Sequence, residues 1–210
     1  MSKKYHSQHP VLFCVATEKG LSVLQAVYKS LEIDIHVSTF REVKVVDSFD
    51  EKIRLFAIEN KLPMYAWKDI LKEGVGWLKK NRIWSIVCVG WRFMIPKDWI
   101  DYLNGHVLIT HDSLLPKYRG FAPLASALIN GEKEAGLTVM LAGAEMDTGD
   151  IIYQKIISID TNYTISDLIK VIMPLFDEGV VSSLKKMISG KIKRKKQDHS
   201  KATYSIWRDE

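Results

Sequence analysis

The residues best suited to proton-transfer chemistry lie in two polar segments, each of which follows an apolar run. His111 opens the segment HDSLLPKYRG directly after the apolar run HVLIT, and Asp147 lies in GAEMDTGD after the run LTVML. An imidazole exchanges protons near neutral pH, and a neighbouring aspartate can orient the ring and stabilise its charged form. Taken singly, each residue is more often structural, and Asp-Thr-Gly also suits a plain turn.

Apolar runs alternate with amphipathic segments along most of the chain. The strand candidates are residues 10–17, 33–37, 63–66, 83–91, 106–110, 137–141 and 151–159. This alternation predicts an α/β fold with a mostly parallel sheet. In such sheets the binding crevice lies beyond the carboxyl ends of the strands. We therefore expect the 91–95 turn, the loop that starts at His111 and the 143–147 loop to meet there.

Three helical segments carry local sequence signals. Proline and glycine mark the two ends of a short helix over 123–131. Residues 68–81 are predicted to form one helix. A long helix is capped by Thr164, interrupted near Pro174 and extends to about residue 189.

Composition narrows the class of protein. The 210 residues, 47% of them apolar and 26% charged, are typical of one folded domain. No apolar run reaches the ~20 residues that a bilayer span needs, and the N-terminus lacks a secretory signal. The two cysteines lie in apolar runs without a disulfide framework, which favours a cytoplasmic protein. The histidines and cysteines show no metal-ligand spacing, so no metal site is predicted.

The net charge of +5 is concentrated near the C-terminal end. Residues 185–201 hold eight Lys or Arg and one Asp, and the remaining 22 basic and 24 acidic residues nearly balance. Because no aromatic residues alternate with these charges, a solvated surface is a better interpretation than a nucleic-acid interface. The chain also lacks a G-x-x-x-x-G-K-[ST] loop, which argues against a nucleoside triphosphatase.

Together, the two polar segments resemble a family signature. The pattern is H-x-S-L-L-P-x-x-x-G followed by D-T-G-x-I, and the matching positions are His111, Ser113, Leu114, Leu115, Pro116, Gly120, Asp147, Thr148, Gly149 and Ile151. It resembles that of the folate-dependent formyltransferases, most closely the nucleotide-sugar N-formyltransferases. The likeness extends more loosely from Pro10 to Trp207.

The resemblance implies a Rossmann-like sheet with helices on both faces, and N10-formyltetrahydrofolate as co-substrate without a metal. In the family, an amine attacks the formyl carbon and a tetrahedral intermediate forms and collapses. By resemblance, His111 accepts the amine proton or stabilises the oxygen of the intermediate. Asp147 would hold His111 in position, directly or through a water.

The resemblance also implies the binding residues. Those expected to contact the folate are Phe93, Met94, Ile95, Ala142, Gly143 and Asp147. Those expected to contact the amine substrate are Ser113, Tyr118, Arg119 and Gly120.

The acceptor suggested by the resemblance is the amino group of a nucleotide-linked amino-deoxysugar, as in lipopolysaccharide O-antigen biosynthesis. Glycinamide ribonucleotide enzymes carry a Gly-Asn-Gly-Ser-Asn loop where this chain has Glu18-Lys19-Gly20-Leu21-Ser22, and methionyl-tRNA enzymes add a C-terminal domain. We expect a catalytic domain over 1–190, then a basic connector and the start of a shortened C-terminal segment over 191–210. A homodimer is plausible by the same resemblance.

One position departs from the family pattern. The family places an asparagine two residues before the histidine, where it donates a hydrogen bond to the formyl oxygen, and this chain has Ile109 there. Loss of one such donor costs about 10²–10³ in rate. Three classes of function therefore stay open: a working sugar or methionyl-tRNA type formyltransferase of low activity, a degenerate relative that binds folate or nucleotide-sugar without efficient turnover, and a tRNA-binding protein that uses the basic 185–201 run.

Overall fold

The computed structural model describes residues 9–41 and 48–206, and among these residues seven strands form one mostly parallel sheet. The strand order is β3-β2-β1-β4-β5-β7-β8. The strands are β1 Val11–Val15, β2 Ile35–Ser38, β3 Met64–Tyr65, β4 Ser85–Val89, β5 Val107–His111, β7 Glu134–Leu141 and β8 Ile151–Ser158. A separate parallel pair consists of β6 Arg119–Gly120 and β9 Tyr204–Ser205. The α/β, Rossmann-like prediction is confirmed.

Helices alternate with these strands. They are α1 Glu18–Ser30, α2 Asp50–Glu59, α3 Trp67–Glu73, α4 Val75–Lys80, α5 Lys97–Tyr102, α6 Pro123–Ile129 and α7 Ile165–Ile188. A 3-10 turn follows at His199–Lys201. No helix of the described residues is both long and apolar enough to cross a membrane.

The chain divides into two compact units, Met1–Leu108 and Ile109–Glu210. In the first unit, β1 pairs in parallel with β2 on one side and with β4 on the other. Every residue of β1 and β4 is buried, as expected for apolar strands in the middle of a sheet. Cys14 and Cys88 face each other across these two strands as buried free thiols. Burial raises the pKa of the Cys14 thiol, and its neighbour Cys88 raises it further.

In the second unit, β7 and β8 form an antiparallel pair against which α7 packs. The short helix predicted over 123–131 is confirmed as α6, with proline in its first turn. The capping box at Thr164 is also confirmed, since its side chain accepts from the Asp167 backbone and the Asp167 side chain accepts from the Thr164 backbone.

Two predictions about helix continuity are wrong. The 68–81 segment is two helices, because Gly74 has φ +59° and ends α3 before α4 starts. The long helix is not interrupted: α7 continues through Pro174. A proline inside a helix costs about 3 kcal/mol, but it is exposed here, while the apolar face that includes Leu168, Ile172 and Phe176 is fully buried. Packing of that face outweighs the lost backbone bond.

Candidate active site

His111 is the last residue of β5 and is almost entirely buried, with 7% of its surface exposed. Its Nε2 lies 2.7 Å from the carbonyl oxygen of Tyr118. A carbonyl oxygen can only accept a hydrogen bond, so Nε2 carries the proton in this arrangement. The other ring nitrogen, Nδ1, is therefore the one that can take up a proton.

Asp147 lies in the tight turn after β7. Its Oδ2 accepts a hydrogen bond of 2.8 Å from the Gly120 backbone N–H and lies 3.6 Å from His111 Nδ1. Asp147 is a non-glycine residue with φ +57°, a conformation that costs about 1–2 kcal/mol. The structure thus brings His111 and Asp147 together, as expected from the topology. Their catalytic roles stay a prediction.

The turn that presents Asp147 is closed by close backbone approach. A Cβ on Gly149 would lie 1.8 Å from the Leu141 carbonyl oxygen, so only glycine fits there. The Thr148 hydroxyl donates to the Glu145 carbonyl oxygen at 2.8 Å. The Asp-Thr-Gly segment therefore forms a tight turn and also places a carboxylate beside His111.

Ile109 lies two residues before His111 and is half-buried. It packs against a buried apolar cluster of Leu115, Met140 and Ile151. Side chains alternate across a strand, so Ile109 and His111 share one face of β5. Beside the histidine, position 109 thus holds an apolar side chain in contact with apolar neighbours, and its correspondence to the family asparagine stays a prediction.

The loop from residue 112 to 118 is held by its own hydrogen bonds. The Ser113 hydroxyl, 3% exposed, donates to the Lys117 carbonyl oxygen at 2.6 Å. The Tyr118 hydroxyl donates to Glu132 Oε1 at 2.7 Å. Burial raises the pKa of Tyr118, and the Glu132 carboxylate raises it further, so this hydroxyl remains a donor at neutral pH.

A pocket of about 60 Å³ lies between this loop, the first turns of α6 and the start of β7. Ser113, Tyr118, Lys117 and Glu132 all line it, and Lys117 Nζ is 3.5 Å from Glu132 Oε1. Two of the four residues predicted to bind substrate therefore border one cavity. Their substrate-binding role stays a prediction.

Arg119 and Gly120, the other two residues predicted to bind substrate, do not line this cavity. Arg119 is 2% exposed, and its guanidinium donates to the side-chain oxygen of Gln197 and to Nδ1 of His199. Gly120 contributes its N–H to Asp147. Both residues thus bind other parts of the chain, and their predicted contact with substrate stays untested.

The predicted folate residues are distributed over both units. In the first unit, Phe93 and Met94 are 45% and 59% exposed, whereas Ile95 is buried. Phe93 also contacts a group of aromatic rings that consists of Phe40, Trp67 and Trp91. In the second unit, Ala142 and Gly143 follow β7 and are half-buried. Folate binding by these residues stays a prediction.

The residue that sequence reasoning missed is Gln197. It is the one uncharged side chain in the run Lys195-Lys196-Gln197-Asp198, and it is 6% exposed. A single glutamine among charged residues is the sequence signal that could have drawn attention to it. In the described part of the chain, no cluster of three or more His, Cys, Asp or Glu side chains is arranged to hold a metal ion.

The mostly parallel sheet, with the buried His111 beside the half-buried Asp147, defines an α/β protein with a candidate proton-transfer site. Residues 46–183 match the model of the formyl transferase family. The chain is also 35% identical, over 159 residues, to a methionyl-tRNA formyltransferase from Clostridium novyi (strain NT), a match that covers 75% of this chain and 52% of that protein. The chain belongs to the formyl transferase family, and it spans about half the length of the curated relatives it matches.

Solved structures share the fold. WlaRD, a sugar 3N-formyl transferase crystallised in the presence of dTDP and 5-N-formyl-THF, superimposes with a TM-score of 0.77 at 21% identity, covering 95% of this chain and 70% of that one. The N-formyltransferase from Helicobacter canadensis, in complex with folinic acid and dTDP-3-aminofucose, gives a TM-score of 0.76 at 18% identity, with 93% and 70% covered. Phosphoribosylglycinamide formyltransferase from Bacillus halodurans gives 0.72 at 21%, with 86% and 95% covered.

Proposed function

We propose that this chain transfers a formyl group from N10-formyltetrahydrofolate to the amino group of a nucleotide-linked amino sugar. The observation that carries the proposal is the pairing of the buried His111 with the half-buried Asp147, whose Nδ1 and Oδ2 are 3.6 Å apart. In this reaction class the amine nitrogen bonds to the formyl carbon, the bond from that carbon to N10 breaks, and the amine loses a proton while N10 gains one.

His111 is suited to take the amine proton at Nδ1. Its Nε2–H is already bonded to the Tyr118 carbonyl oxygen, so the ring is held while Nδ1 changes protonation state. A proton at Nδ1 would lie on the side of the ring that faces the Asp147 carboxylate, which stabilises the resulting imidazolium. The Gly120 N–H holds that carboxylate in place.

The proposed donor is supported by the folate compounds of the related structures: WlaRD was crystallised in the presence of 5-N-formyl-THF, and the Helicobacter canadensis protein is in complex with folinic acid. In this chain, the exposed Phe93 and Met94 are apolar groups that an aromatic pterin could cover. The proposed acceptor is supported by the dTDP present with WlaRD and by the dTDP-3-aminofucose in the complex of the Helicobacter canadensis protein.

Ile109 limits the proposed activity. The isoleucine side chain has no polar atom and packs against a leucine, a methionine and a second isoleucine, so it offers the formyl oxygen no hydrogen-bond donor. We therefore propose a native rate about 10²–10³ below that of an asparagine-bearing enzyme. The alternative is a degenerate relative that binds folate or nucleotide-sugar without efficient turnover.

A second acceptor is favoured by one specific observation. The methionyl-tRNA formyltransferases from Clostridium novyi (strain NT) and Carboxydothermus hydrogenoformans are 35% and 32% identical to this chain. Lys193, Arg194, Lys195 and Lys196 are all exposed and could contact an RNA backbone. Methionyl-tRNA is therefore the second candidate substrate, and RNA binding without transfer is the third functional class.

We also propose a cytoplasmic location, supported by the two buried cysteines, which remain free thiols as expected in a reducing compartment. A homodimer and a role in lipopolysaccharide O-antigen biosynthesis stay predictions.

The experiment that tests the proposed function measures formyl transfer from N10-formyltetrahydrofolate to two kinds of acceptor. The first is a panel of dTDP-linked amino sugars and the second is methionyl-tRNA. The variants are Ile109→Asn, which introduces a donor, Ile109→Val as the matched apolar control, and His111→Ala. We expect slow transfer to an amino sugar by the native chain, a kcat about 10²–10³ higher in Ile109→Asn, no gain in Ile109→Val and loss of transfer in His111→Ala.

Each result separates the candidates. If only Ile109→Asn transfers formyl, the native chain is the degenerate relative. Transfer to methionyl-tRNA alone would replace the sugar by the second acceptor. Full activity in His111→Ala would contradict the proposed role of the histidine. A steep salt dependence of RNA affinity, without any transfer, would favour the RNA-binding class.

A further inference from the structure

The Gln197 side chain holds the main chain of the turn that contains Asp147. Its Nε2 donates to the carbonyl oxygen of Asp147 at 2.9 Å and to that of Gly149 at 2.8 Å. Both hydrogens of the carboxamide are therefore used, and the two carbonyl groups they bind flank Thr148. Gln197 is 6% exposed, so water cannot easily replace these bonds.

Arg119 determines which way the Gln197 carboxamide points. Its Nε and Nη2 donate to Gln197 Oε1 at 3.2 and 2.7 Å. A guanidinium has only donors, so the oxygen of the carboxamide must face it and the NH₂ group must face the turn. Further bonds from the guanidinium to His199 Nδ1 at 3.1 Å and to the Tyr204 hydroxyl at 3.4 Å hold Arg119 itself.

Asp147 needs such support because of its backbone conformation. A left-handed φ at a non-glycine residue persists where the surrounding contacts over-determine it. The Asp147 main chain is bonded to Gln197, and its carboxylate is bonded to the N–H of Gly120, the residue next to Arg119. Both contacts of Asp147 thus lead to Arg119. The main chain of Asp147 is connected through Gln197 to the Arg119 guanidinium, and its carboxylate is connected through Gly120 to the Arg119 backbone.

Backbone hydrogen bonds also attach the C-terminal segment on both sides of Gln197. Lys195 and Ile151 exchange two backbone hydrogen bonds of 2.8 Å. Further along, the Arg119 N–H donates to the Thr203 carbonyl oxygen and the Phe121 N–H to that of Ser205. Because the segment is held on both sides of residue 197, the buried carboxamide is not its sole attachment.

We infer that Gln197 is a positioning residue for formyl transfer, which with Arg119 holds the Asp147 turn so that the carboxylate faces His111 Nδ1. This inference rests on the proposed function. It assigns to residues 195–205 a part in the site, beyond the connector role expected from their sequence.

Two substitutions remove the donors of Gln197 in different ways. Gln197→Glu keeps an oxygen for Arg119 but has no N–H for the carbonyl groups of Asp147 and Gly149. Gln197→Met keeps the length of the side chain and removes every polar atom. Lys196→Gln, at the exposed neighbouring position, is the matched control. If Gln197→Met fails to fold, Gln197→Glu carries the test, because its charge pairs with the guanidinium.

The first measurement does not depend on activity. The ring nitrogens of His111 are observed by NMR in the ligand-free, ¹⁵N-histidine-labelled chain, with His111→Gln used for assignment. We expect altered His111 ring signals in both Gln197 variants and native signals in Lys196→Gln. The second measurement is formyl transfer, where we expect kcat to fall about 10–100-fold while KM for the folate changes less than about twofold, since the loss is one of orientation.

The outcomes are distinct from those of the proposed function. Native ring signals in folded Gln197→Glu and Gln197→Met overturn the inference, whatever the activity. Altered signals with an unchanged kcat also overturn it, because the glutamine would then be structural alone. If the native chain and Ile109→Asn both fail to transfer formyl, the proposed function is wrong, and the ring signals alone decide whether Gln197 positions the pair.

Discussion

A substitution at Gly120 can test how closely the C-terminal segment approaches the loop that follows His111. The residue has φ +98°, and a Cβ built on it would lie 2.4 Å from the Ser205 carbonyl oxygen. Contacts between heavy atoms normally begin at about 3.5 Å. In Gly120→Ala, β6 and β9 must therefore separate by about 1 Å, because the clashing atom belongs to the backbone and cannot rotate away.

Two effects lower the free energy of unfolding of Gly120→Ala. A positive φ costs alanine about 1–2 kcal/mol. Separation of the strands weakens the bonds from Arg119 N–H to Thr203 and from Phe121 N–H to Ser205, each worth about 1 kcal/mol. We expect Gly120→Ala to lower the free energy of unfolding by about 3–4 kcal/mol.

Gly131 is the matched control. It has φ +64°, and no heavy atom lies within 4 Å of the Cβ position. Gly131→Ala therefore bears the backbone cost alone, about 1–2 kcal/mol. The free energy of unfolding should therefore be about 2 kcal/mol lower in Gly120→Ala than in Gly131→Ala, and this difference reports the contact with the Ser205 carbonyl oxygen alone. Both values come from urea titrations in which the slope m is unchanged.

Equal destabilisation by the two substitutions would refute the reasoning, since it would mean that residues 204–205 do not lie against Gly120 in solution. Gly120→Ala should also reduce formyl transfer by any chain that is active, because the Gly120 N–H holds the Asp147 carboxylate.

Three further predictions concern stability. Thr164→Ala removes the capping box with Asp167 and should cost α7 about 1 kcal/mol, read from urea unfolding. Pro174→Ala restores a backbone donor inside α7 at an exposed position, so it should stabilise the chain by about 1–3 kcal/mol in the same assay, and a loss of stability would contradict the continuous helix. Burial raises the pKa of Tyr153 well above its usual range, with a further rise from Glu178, so the folded chain keeps this hydroxyl neutral when the unfolded chain ionises it. The contribution of Tyr153 to the free energy of unfolding is therefore fully present below about pH 10 and is lost as the pH rises further. Urea midpoints measured across this pH range should fall less in Tyr153→Phe than in the native chain.

The meeting of His111 and Asp147 was predictable because it follows from the sheet. Apolar runs identify the strands, and the carboxyl ends of parallel strands carry the loops of the site. The place of Ile109 on the same face of one strand as His111 was equally predictable, since the two are two residues apart; its departure from the family pattern stays a prediction.

The contacts that hold His111 and Asp147 in place were not predictable from the sequence. β6 and β9 are two residues each, too short for the alternation that identifies a strand. The bond between Arg119 and Gln197 joins residues 78 positions apart, and the basic neighbours of Gln197 predict an exposed segment. Trp207, to which the family resemblance extends, lies outside the described residues.

The groups that hold His111 and Asp147 in place are separate from Ile109, the position predicted to differ from the family. His111 is bonded to the Tyr118 carbonyl oxygen, and Asp147 is bonded to Gly120 and Gln197. Ile109 takes no part in these bonds and packs on an apolar cluster instead. Ile109→Asn therefore adds a hydrogen-bond donor beside His111 without touching the bonds that hold His111 and Asp147. Because the two features are independent, Ile109→Asn alone should be enough to separate a slow enzyme from an inactive one, and no rebuilding of the loop is required.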